Sequence, residues 1–405
     1  MKDSIIARRN RGLSVAFPAP HFPFELGENV IAFDSGFASP DLLPDLTACA
    51  HKALTAERAV SLQYSPNHGQ PALRAWIAGH MNEDGCSLTA DHILIVNGAK
   101  HGLELVCKLL LDEGDCVVVT APTYFSAVPI FSAFGAQFLE VGVDESGLDV
   151  EELDSLLDRR ETDGLAPPKF IYNITDFHNP SGTTLSRERR QALVALAERR
   201  GIFLLEDNPY RKVRFDGDAI PTLKALDRSG IVIHTGTFSK LVAPGLRIGW
   251  VAAGEGVIAR LIQLKADGGT SALLQNIVLE FCASAEFPRH VARVRETYGE
   301  HRDRMIAALK RELPQATLRA PDGGYYIWVE LPAGFDTDDF TRRAADKGVN
   351  ILAGSKFFAI RDGYPSNRAR ATRHIRLSYS FATLDQIDEG MRRLGDVYRG
   401  AAWAG

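Results

Sequence analysis

Residues 235–250, which read TGTFSKLVAPGLRIGW, place a single lysine among small, hydroxylated and apolar residues. Lys240 has no charged neighbour until Arg247, seven positions later, so it is unlike a lysine on a solvated, charged face. Burial would lower the pKa of such a lysine and leave some neutral amine, the nucleophile that a Schiff base requires. Thr237, Ser239 and Arg247 could together hold an anion such as a phosphate. From this stretch alone, a loop lysine beside a buried strand is an equally good interpretation.

The composition of the 405-residue chain is that of a globular protein, with 45% hydrophobic and 24% charged residues. A net charge of −5 argues against nucleic acid as the main partner, because phosphate backbones are bound by a basic excess. The five cysteines are scattered, which is typical of reduced thiols in a cytoplasmic protein. The N-terminus lacks the apolar core of a signal peptide, and no stretch approaches the roughly 20 apolar residues of a membrane span. We therefore expect a cytoplasmic protein without a membrane partner.

Short apolar runs rich in β-branched residues, each followed by a helix-like segment, fill the middle of the chain. They occupy residues 93–96, 116–120, 137–141, 170–174, 202–205, 231–234 and 248–252. Continuous apolar strands with helices between them indicate a mainly parallel sheet that is covered on both faces. Ser186 is predicted to cap the helix that precedes the fifth of these strands, and Gly201 to end it.

The pattern changes after about residue 285, which indicates a second structural unit. A long Arg-rich helix near 288–313 precedes TLRAPDGGYYIWVEL, which indicates a hairpin or bent strand around Gly323 and Gly324. Helical spacing resumes near Thr337, and a strand at 375–380 precedes a last helix. The C-terminal part is therefore predicted to be of the α+β type.

The predicted fold class is α/β with two domains. A large domain, residues 46–290, would carry the mainly parallel mixed sheet. A smaller α+β domain would combine residues 291–405 with the N-terminal arm, residues 1–45. The basic cluster of Arg8, Arg9 and Arg11 would lie on this arm.

The unusual residues fall at the predicted C-terminal ends of strands, where open parallel sheets bind their ligands. Gly98 permits a tight turn, and the amides of Ala99 and Lys100 open a helix N-terminus, which is a ready anion site. Tyr124 follows the second strand, where its ring could stack on a flat ligand. Three further polar residues follow later strands: Asn179, Asp207 and Tyr210.

These groups together suit pyridoxal phosphate, which has a phosphate, a ring nitrogen, a phenolic oxygen and an aldehyde. Asp207 is expected to keep the ring nitrogen protonated, so that the ring withdraws electrons. Asn179 and Tyr210 are expected to bond the phenolic oxygen, and Tyr124 to stack on the ring. Lys240 is expected to bind the aldehyde and then to act as the general base. The predicted phosphate ligands are Ala99, Lys100, Thr237, Ser239 and Arg247.

Each of these residues also has an ordinary structural explanation by itself. Asp207 is equally consistent with a helix cap, Asn179 before a proline with a turn, and Tyr124 with a core residue. Their common position at strand ends favours one cofactor site over five separate coincidences. No metal site is predicted.

The chain resembles the fold-type I pyridoxal-phosphate aminotransferases of class I and II, and within them the branch of 2-aminoadipate and broad-specificity transaminases. The resemblance spans nearly all of the chain. It is carried by YSPNHG at 64–69, NPSG at 179–182, EDNPY at 206–210, TFSK at 237–240, APGLRIGW at 243–250 and PDGGYYIW at 321–328. It implies an enzyme that moves an amino group from an L-amino acid to a 2-oxo acid, such as 2-oxoglutarate or pyruvate. The reaction would run by ping-pong chemistry through a pyridoxamine form of the cofactor.

The resemblance also implies roles for residues outside the strand ends. Arg376 would bind the substrate α-carboxylate with help from Asn179, and Gly36 would line the substrate site. Tyr64 would reach the cofactor phosphate of the partner subunit, which implies a homodimer with shared active sites. By its position at a chain terminus, the arm around Arg8 is expected to be extended on the surface; the resemblance offers the alternative that it folds over the active site and helps to select the substrate side chain.

The sequence departs from the family pattern at several positions. His178 stands where glutamine is usual, and Tyr325 where Met, Leu or Ala is usual. Together with His68, these residues are expected near the substrate side chain, and they leave the identity of the amino acid open.

Two alternative functions are open at this point. The same cofactor could serve elimination, cyclisation or oxidation of an amino acid, since only proton handling differs. Related transcription regulators carry an aminotransferase-like domain behind a winged helix-turn-helix. About 30 residues precede the region of resemblance here, fewer than such a DNA-binding module needs.

Overall fold

The computed structural model describes residue 27, residues 29–359 and residues 372–401. The predicted cluster of Arg8, Arg9 and Arg11 lies outside the described residues. Within these ranges, no helix combines the length and the apolar character that crossing a membrane requires.

Strands and helices are numbered in chain order over the described residues. The strands are β1 (Ile31–Ala32), β2 (Ile93–Val96), β3 (Cys116–Ala121), β4 (Gln137–Asp144), β5 (Gly147–Leu148), β6 (Phe170–Ile174), β7 (Phe203–Asp207), β8 (Val232–Thr237), β9 (Gly249–Ala252), β10 (Thr317–Leu318), β11 (Tyr326–Glu330), β12 (Val349–Asn350), β13 (Leu352–Ala353) and β14 (His374–Ser378). The α-helices are α1 (Thr47–Leu54), α2 (Arg58–Ser61), α3 (Pro71–Glu83), α4 (Ala99–Leu110), α5 (Val128–Ser132), α6 (Val150–Thr162), α7 (Arg187–Arg200), α8 (Leu223–Leu226), α9 (Glu255–Leu264), α10 (Ala272–Cys282), α11 (Glu286–Glu312), α12 (Thr337–Asp346) and α13 (Leu384–Ala401). Short 3-10 turns occur at Pro40–Leu42, Ala90–His92, Phe238–Lys240, Pro244–Leu246 and Gly354–Phe357.

The central sheet of the described chain has eight strands in the order β2-β9-β8-β7-β6-β3-β4-β5. Strands β8, β7, β6, β3 and β4 are parallel neighbours. Strand β9 runs antiparallel to both β2 and β8, and β5 runs antiparallel to β4. The predicted α/β class with a mainly parallel mixed sheet is therefore confirmed.

Both faces of this sheet are buried along β2, β3, β6, β8 and β9, which explains the apolar runs in these strands, whereas β4 is partly exposed. Successive side chains of β3 point to opposite faces. Val118 packs with Leu153 of α6 and Leu193 of α7, whereas Val117 belongs to the cluster that contains Leu103 of α4. Burying each apolar side chain of this kind is worth about 1.5–3 kcal/mol.

Helix α7 leads the chain into β7, and its ends follow the prediction. The Ser186 hydroxyl accepts a hydrogen bond from the amide of Arg189 at 3.2 Å, and Gly201 ends the helix at φ 65°. A serine cap satisfies an otherwise unpaired amide, and glycine adopts the left-handed conformation without a steric penalty. These two boundaries fix where β7 begins, and Asp207 is the last residue of β7.

The C-terminal part contains a second sheet, with strands in the order β10-β11-β14-β13. Strands β10 and β11 form an antiparallel pair, so the predicted hairpin around Gly323 and Gly324 is confirmed. Strand β1 pairs with β12, which joins residues before 45 to the C-terminal part. The predicted domain boundary at residue 290 lies inside α11, and the division into domains stays a prediction.

Candidate active site

Lys240 lies at the end of the turn that follows β8. Thr237, the last residue of β8, caps the turn Phe238–Lys240 by accepting a hydrogen bond from the amide of Ser239 at 3.1 Å. The Nζ of Lys240 donates to the carbonyl of Gly36 at 2.7 Å. A carbonyl orients the amine but does not neutralise it, so this contact leaves the lysine available for chemistry.

The electrostatic surroundings of Lys240 favour the neutral amine. Burial, followed by the charges of Arg376, Arg247 and Lys100, lowers the pKa of Lys240 to about 8. The ring of Tyr325 lies 5.1 Å from Nζ, and its hydroxyl donates to the Lys240 carbonyl at 3.2 Å. At neutral pH a fraction of this lysine is therefore a nucleophile and a base.

Asp207 is a buried carboxylate with neutral donors. The hydroxyl of Tyr172 donates to it at 2.8 Å and that of Thr235 at 3.1 Å. Burial raises its pKa, and these two hydrogen bonds oppose that change. No lysine or arginine of the described chain lies within salt-bridge distance of it. A carboxylate can accept more than two hydrogen bonds, so Asp207 suits a protonated ring nitrogen of a ligand.

Tyr172 and Thr235 are functional neighbours that the sequence analysis did not identify. Tyr172 lies in β6, and Thr235 is the residue opposite Asp207 in the β7–β8 pair. Each of these residues places a hydroxyl within a buried strand, and a buried hydroxyl requires a hydrogen-bond partner, so the sequence could have indicated that both have one. It could not indicate that the partner is Asp207, because this depends on the register of the strands.

An anion cradle lies at the N-terminus of α4. The amides of Ala99 and Lys100 have no acceptor within the helix, because they belong to its first turn. Gly98 has φ 80°, and a Cβ at this position would lie 2.4 Å from Nη2 of Arg247. Nη2 of Arg247 donates to the carbonyl of Asn97 at 3.2 Å, which holds the guanidinium beside the helix end. This combination suits a phosphate.

Thr237 and Ser239 have different positions in this cradle. Thr237 is buried, and its hydroxyl lies 2.9 Å from the Ser239 hydroxyl and 3.2 Å from the carbonyl of Ile248. Ser239 is partly exposed. Thr237 therefore shapes the turn, and Ser239 supplies the more accessible hydroxyl.

Arg376 is a buried guanidinium in β14, 2% exposed. It donates to Oδ1 of Asn179 at 3.0 Å and to the carbonyl of Asp34. Its Nε is buried without a hydrogen-bond partner, and no described carboxylate forms a salt bridge with it. A buried cation without a counter-ion is costly, so this group suits an anionic ligand.

Aromatic rings surround Arg376. Its guanidinium carbon lies 4.0 Å from the ring centroid of Tyr326, 5.1 Å from that of Phe357 and 5.7 Å from that of Phe125. A Cβ on Gly36 would lie 1.9 Å from the Tyr326 hydroxyl, so the position requires a glycine. Tyr326, the second tyrosine of PDGGYYIW, was not identified from the sequence.

Tyr210 and Tyr124 are also brought to the site. The hydroxyl of Tyr210 lies 3.4 Å from that of Tyr326, and its ring lies 6.0 Å from Nζ of Lys240. Nζ of Lys100 lies 5.9 Å from the ring of Tyr124. Burial raises the pKa of both Tyr210 and Tyr124, so each phenol is a neutral donor.

Other residues singled out in the sequence lie elsewhere. Tyr64 is 86% exposed and does not join the site of its own subunit. His68 lies beside β2, where its carbonyl accepts a hydrogen bond from the amide of Ile95 at 3.1 Å. Burial and the charge of Arg74 lower the pKa of His68, and the charge of Asp91 opposes them. Its expected position near the substrate side chain stays a prediction.

His178 is buried, and both of its ring nitrogens have hydroxyl partners within the protein. Its ring lies 3.0 Å from the hydroxyl of Thr120 and 2.7 Å from that of Ser181. Burial lowers the pKa of His178 to about 3, so the ring is neutral. Of the three unusual residues, the structure places only Tyr325 against Lys240.

The chain matches the family model described as aminotransferase class I and II over residues 24–394. It is similar to a 2-aminoadipate transaminase of Thermus thermophilus, with 34% identity over 92% of this chain and 90% of that protein. It is also similar to aromatic-amino-acid aminotransferase 1 of Thermococcus litoralis, with 32% identity over 92% of this chain and 88% of the relative. The crystal structure of Pyrococcus horikoshii kynurenine aminotransferase in complex with PMP matches with a TM-score of 0.86 and 31% identity, covering 92% and 91% of the two chains.

Proposed function

This chain belongs to the class I and II aminotransferases, and on that premise we propose which residues serve the reaction and which amino acids it accepts. The enzyme is a fold-type I transaminase that transfers the amino group of an amino acid to a 2-oxo acid, with pyridoxal phosphate as its cofactor. When bound, the cofactor supplies a ring that withdraws electrons from the substrate α-carbon. The Asp207 carboxylate, which forms no salt bridge with a described lysine or arginine, fits the ring nitrogen of the cofactor, and the cradle at Gly98 fits its phosphate.

We assign the cofactor contacts from these groups. Asp207 accepts the hydrogen bond of the ring nitrogen, and its hydroxyl donors Tyr172 and Thr235 hold it in place. Asn179 and Tyr210 bind the phenolic oxygen, and Tyr124 lies against the ring. The phosphate is bound by Ala99, Lys100, Thr237, Ser239 and Arg247.

Lys240 is the proposed catalytic base. Its lowered pKa keeps part of the amine neutral, and the carbonyl of Gly36 orients it. With the substrate bound, the neutral amine would take the proton from the substrate α-carbon and hold it for return during the reaction, while the cofactor would supply the electron-withdrawing ring. Arg376 and Arg247 oppose a permanent positive charge on Lys240 throughout this transfer.

The buried Arg376 guanidinium carries the substrate proposal. Its Nε has no hydrogen-bond partner within the part of the chain that the structure describes, and a planar guanidinium binds a carboxylate in two parallel hydrogen bonds. Every α-amino acid and every 2-oxo acid has this carboxylate, so one arginine serves both halves of the reaction. Asn179 holds the guanidinium from one side and Tyr326 packs on its face.

We propose an amino donor with an apolar or aromatic side chain. The described side chains around Arg376 include Phe125, Tyr326 and Phe357, whose rings favour such a group. The described cations near Lys240 already have roles with the phosphate or the carboxylate. The proposed acceptor is 2-oxoglutarate or pyruvate.

An exposed apolar surface supports a homodimer with shared active sites. Most of the large apolar side chains that are exposed in the described chain lie between residues 43 and 64: Leu43, Leu54, Val60, Leu62 and Tyr64. An exposed apolar patch of this kind marks an interface. A second copy of the chain is the proposed occupant, with Tyr64 reaching the partner's phosphate.

The cysteines support a cytoplasmic location. All five are free thiols, and all five lie in the described ranges. Reducing compartments keep thiols in this state.

A half-reaction screen tests the proposal. Holoenzyme is mixed with single amino acids in the absence of an acceptor, and the visible absorbance of the bound cofactor is followed. Phenylalanine, tyrosine and leucine should bleach it faster than aspartate, and a 2-oxo acid should restore it. Faster conversion by aspartate would contradict the proposed side-chain preference.

Arg376→Ala provides the matched test of the carboxylate contact. The variant should raise KM for every donor by a similar factor of about 10 to 100, because the lost charged hydrogen bonds are common to all of them. An effect confined to one donor would place Arg376 at the side chain instead.

A further inference from the structure

Phe177 has a backbone conformation that is unusual for an aromatic residue. Its φ is 52°, in the left-handed region, and its side chain is 1% exposed. A residue with a Cβ is strained there, and such strain persists where the surrounding structure over-determines it. Phe177 lies two residues before Asn179, in the loop that follows β6. Its neighbours therefore indicate what this loop serves.

The residues on either side of Phe177 are anchored in the large sheet and its helices. Asp176 is fully buried and pairs with Arg190 at 2.9 Å and with Arg214 at 3.1 Å. The ring of His178 lies 3.0 Å from the hydroxyl of Thr120 on β3. These contacts hold the backbone on both sides, so Phe177 cannot relax without breaking one of them.

The ring of Phe177 packs against the turn between β10 and β11. A Cβ added to Gly323 would lie 2.5 Å from Cζ of Phe177. A Cβ added to Gly324 would lie 2.7 Å from the Cβ of Phe177. The guanidinium of Arg214 covers the ring at 4.6 Å. The amide of Gly324 donates to the carbonyl of Val213 at 2.9 Å, which keeps the turn in place.

The loop and the turn that meet at Phe177 both lead to Arg376. Asn179, two residues after Phe177, accepts a hydrogen bond from Arg376 at 3.0 Å. Tyr326, two residues after Gly324, places its ring 4.0 Å from the same guanidinium. The position of Arg376 therefore depends on how these two segments sit against each other.

We propose that Phe177 is a positioning residue for the substrate carboxylate, because its ring locks the Asn179 loop to the Gly323–Gly324 turn and thereby sets the orientation of Arg376. This inference rests on the proposed function, in which Arg376 binds that carboxylate. Phe177 itself does not contact the substrate, so its removal acts through Asn179 and Tyr326. Replacing Phe177 should therefore weaken the binding of the substrate carboxylate and leave the rate of the chemical step nearly unchanged.

The test measures binding of 3-phenylpropanoate, a carboxylate without an amino group, to the holoenzyme by calorimetry. Phe177→Ala should raise its Kd about tenfold, while kcat with a saturating donor changes less than about twofold. Gly323→Ala would place a methyl group 2.3 Å from the Val213 carbonyl and 2.5 Å from the Phe177 ring, so it displaces the turn from the ring. It should raise the Kd similarly and serves as the second variant if Phe177→Ala does not fold. Phe340→Ala is the control, since Phe340 is equally buried but lies in α12. It should lower Tm and leave the Kd unchanged.

A double-mutant cycle with Asn179→Ala separates positioning from general packing. In that background Phe177→Ala should change the Kd by a smaller factor than it does in the wild-type enzyme, because the part of its route to Arg376 that runs through Asn179 is already broken, and only the part through Tyr326 remains. Full additivity, or an unchanged Kd in both Phe177→Ala and Gly323→Ala, would overturn the inference. Arg376→Lys reports on the proposed function separately. If Arg376→Lys weakens binding and the Phe177 variants do not, only the inference fails, whereas unchanged binding in Arg376→Lys overturns both.

Discussion

Two cations, Lys240 and Arg376, form no salt bridge with a carboxylate of the described residues, and their proposed roles are opposite. Lys240 donates to a carbonyl, and its pKa is lowered to about 8 by burial and by neighbouring cations that include Arg376. Arg376 lies buried in β14, where its guanidinium donates to Asn179 and to the carbonyl of Asp34. The same residue that is proposed to hold the substrate therefore also helps to deprotonate the base.

Replacing Lys240 by Ala removes the proposed nucleophile and base together. Turnover should fall by at least about 10³-fold, because no other described amine lies in the same position. The visible absorbance that depends on the lysine should disappear, while the circular dichroism spectrum stays unchanged. Lys169→Ala, at a surface position, is the control, and turnover retained in Lys240→Ala would contradict the assignment.

The lowered pKa of Lys240 predicts a pH dependence of cofactor capture. The neutral amine is the reactive form, so the rate at which apoenzyme binds pyridoxal phosphate should rise with pH and reach half of its maximum near pH 8. Arg376→Met removes a neighbouring charge, raises the pKa of Lys240 and should shift the profile to higher pH. Stopped-flow absorbance between about pH 6.5 and 9.5 measures both profiles. Arg289→Met, an exposed control, should not move the midpoint.

At the level of secondary-structure elements, the strand ends and the helix that follows each of them make the site. Helix α4 presents its first amides beside Arg247, and β7 ends in Asp207. The first amides of a helix lack acceptors within the helix, and side chains that follow parallel strands meet at one edge of the sheet. The fold therefore supplies much of the polar environment of the site, and few charged side chains are needed in addition. The close approach of Gly98 to Arg247 makes this geometry sensitive to a single methyl group.

Gly98→Ala tests that cradle against a matched control. Alanine at Gly98 would be strained at φ 80° and would bring its Cβ to 2.4 Å from Arg247, so the cofactor Kd should rise at least about tenfold. Gly114 has φ 98°, and a Cβ added there would have no atom within 4 Å, so Gly114→Ala carries the strain without the clash. Equilibrium dialysis should show normal cofactor affinity in Gly114→Ala. Equal losses in the two variants would mean that backbone strain, and not the cradle, is responsible.

Across the entire subunit, the tertiary fold joins residues from distant parts of the sequence. Gly36 contacts Lys240, and Asn179 contacts Arg376, so four separate segments supply the proposed substrate site. The proposed dimer extends this arrangement, since Tyr64 is exposed in its own subunit. Assembly and activity are therefore expected to be lost together.

Leu62→Glu tests the proposed dimer. A charge buried in an apolar interface is costly, so the variant should be monomeric by analytical ultracentrifugation and should lose most of its turnover. Leu165→Glu is the control. Leu165 is exposed to a similar extent, 52% against 58% for Leu62, but it lies outside residues 43–64. A dimeric, active Leu62→Glu protein would remove this surface from the interface.

The sequence by itself determined the fold class, the cofactor and the family. The strand predicted at 93–96 is Ile93–Val96 and that at 170–174 is Phe170–Ile174, because a strand buried on both faces must be a continuous apolar run. Ser186 and Gly201 marked the ends of α7 because capping is a local interaction. The motifs around Lys240 and Asp207 could be recognised for the same reason, since their residue types and order are written along the chain.

Only the tertiary structure decided which side chains meet. Tyr172 and Thr235 reach Asp207 through the register of three strands, and Tyr326 reaches Arg376 through the pairing of β11 with β14. The pKa of Lys240 likewise depends on charges that are remote in sequence, and the strain at Phe177 depends on Asp176 and the glycine turn. Electrostatic and packing interactions act through space and fall off over a few ångströms, so the order of residues along the chain does not contain them until the fold sets the distances.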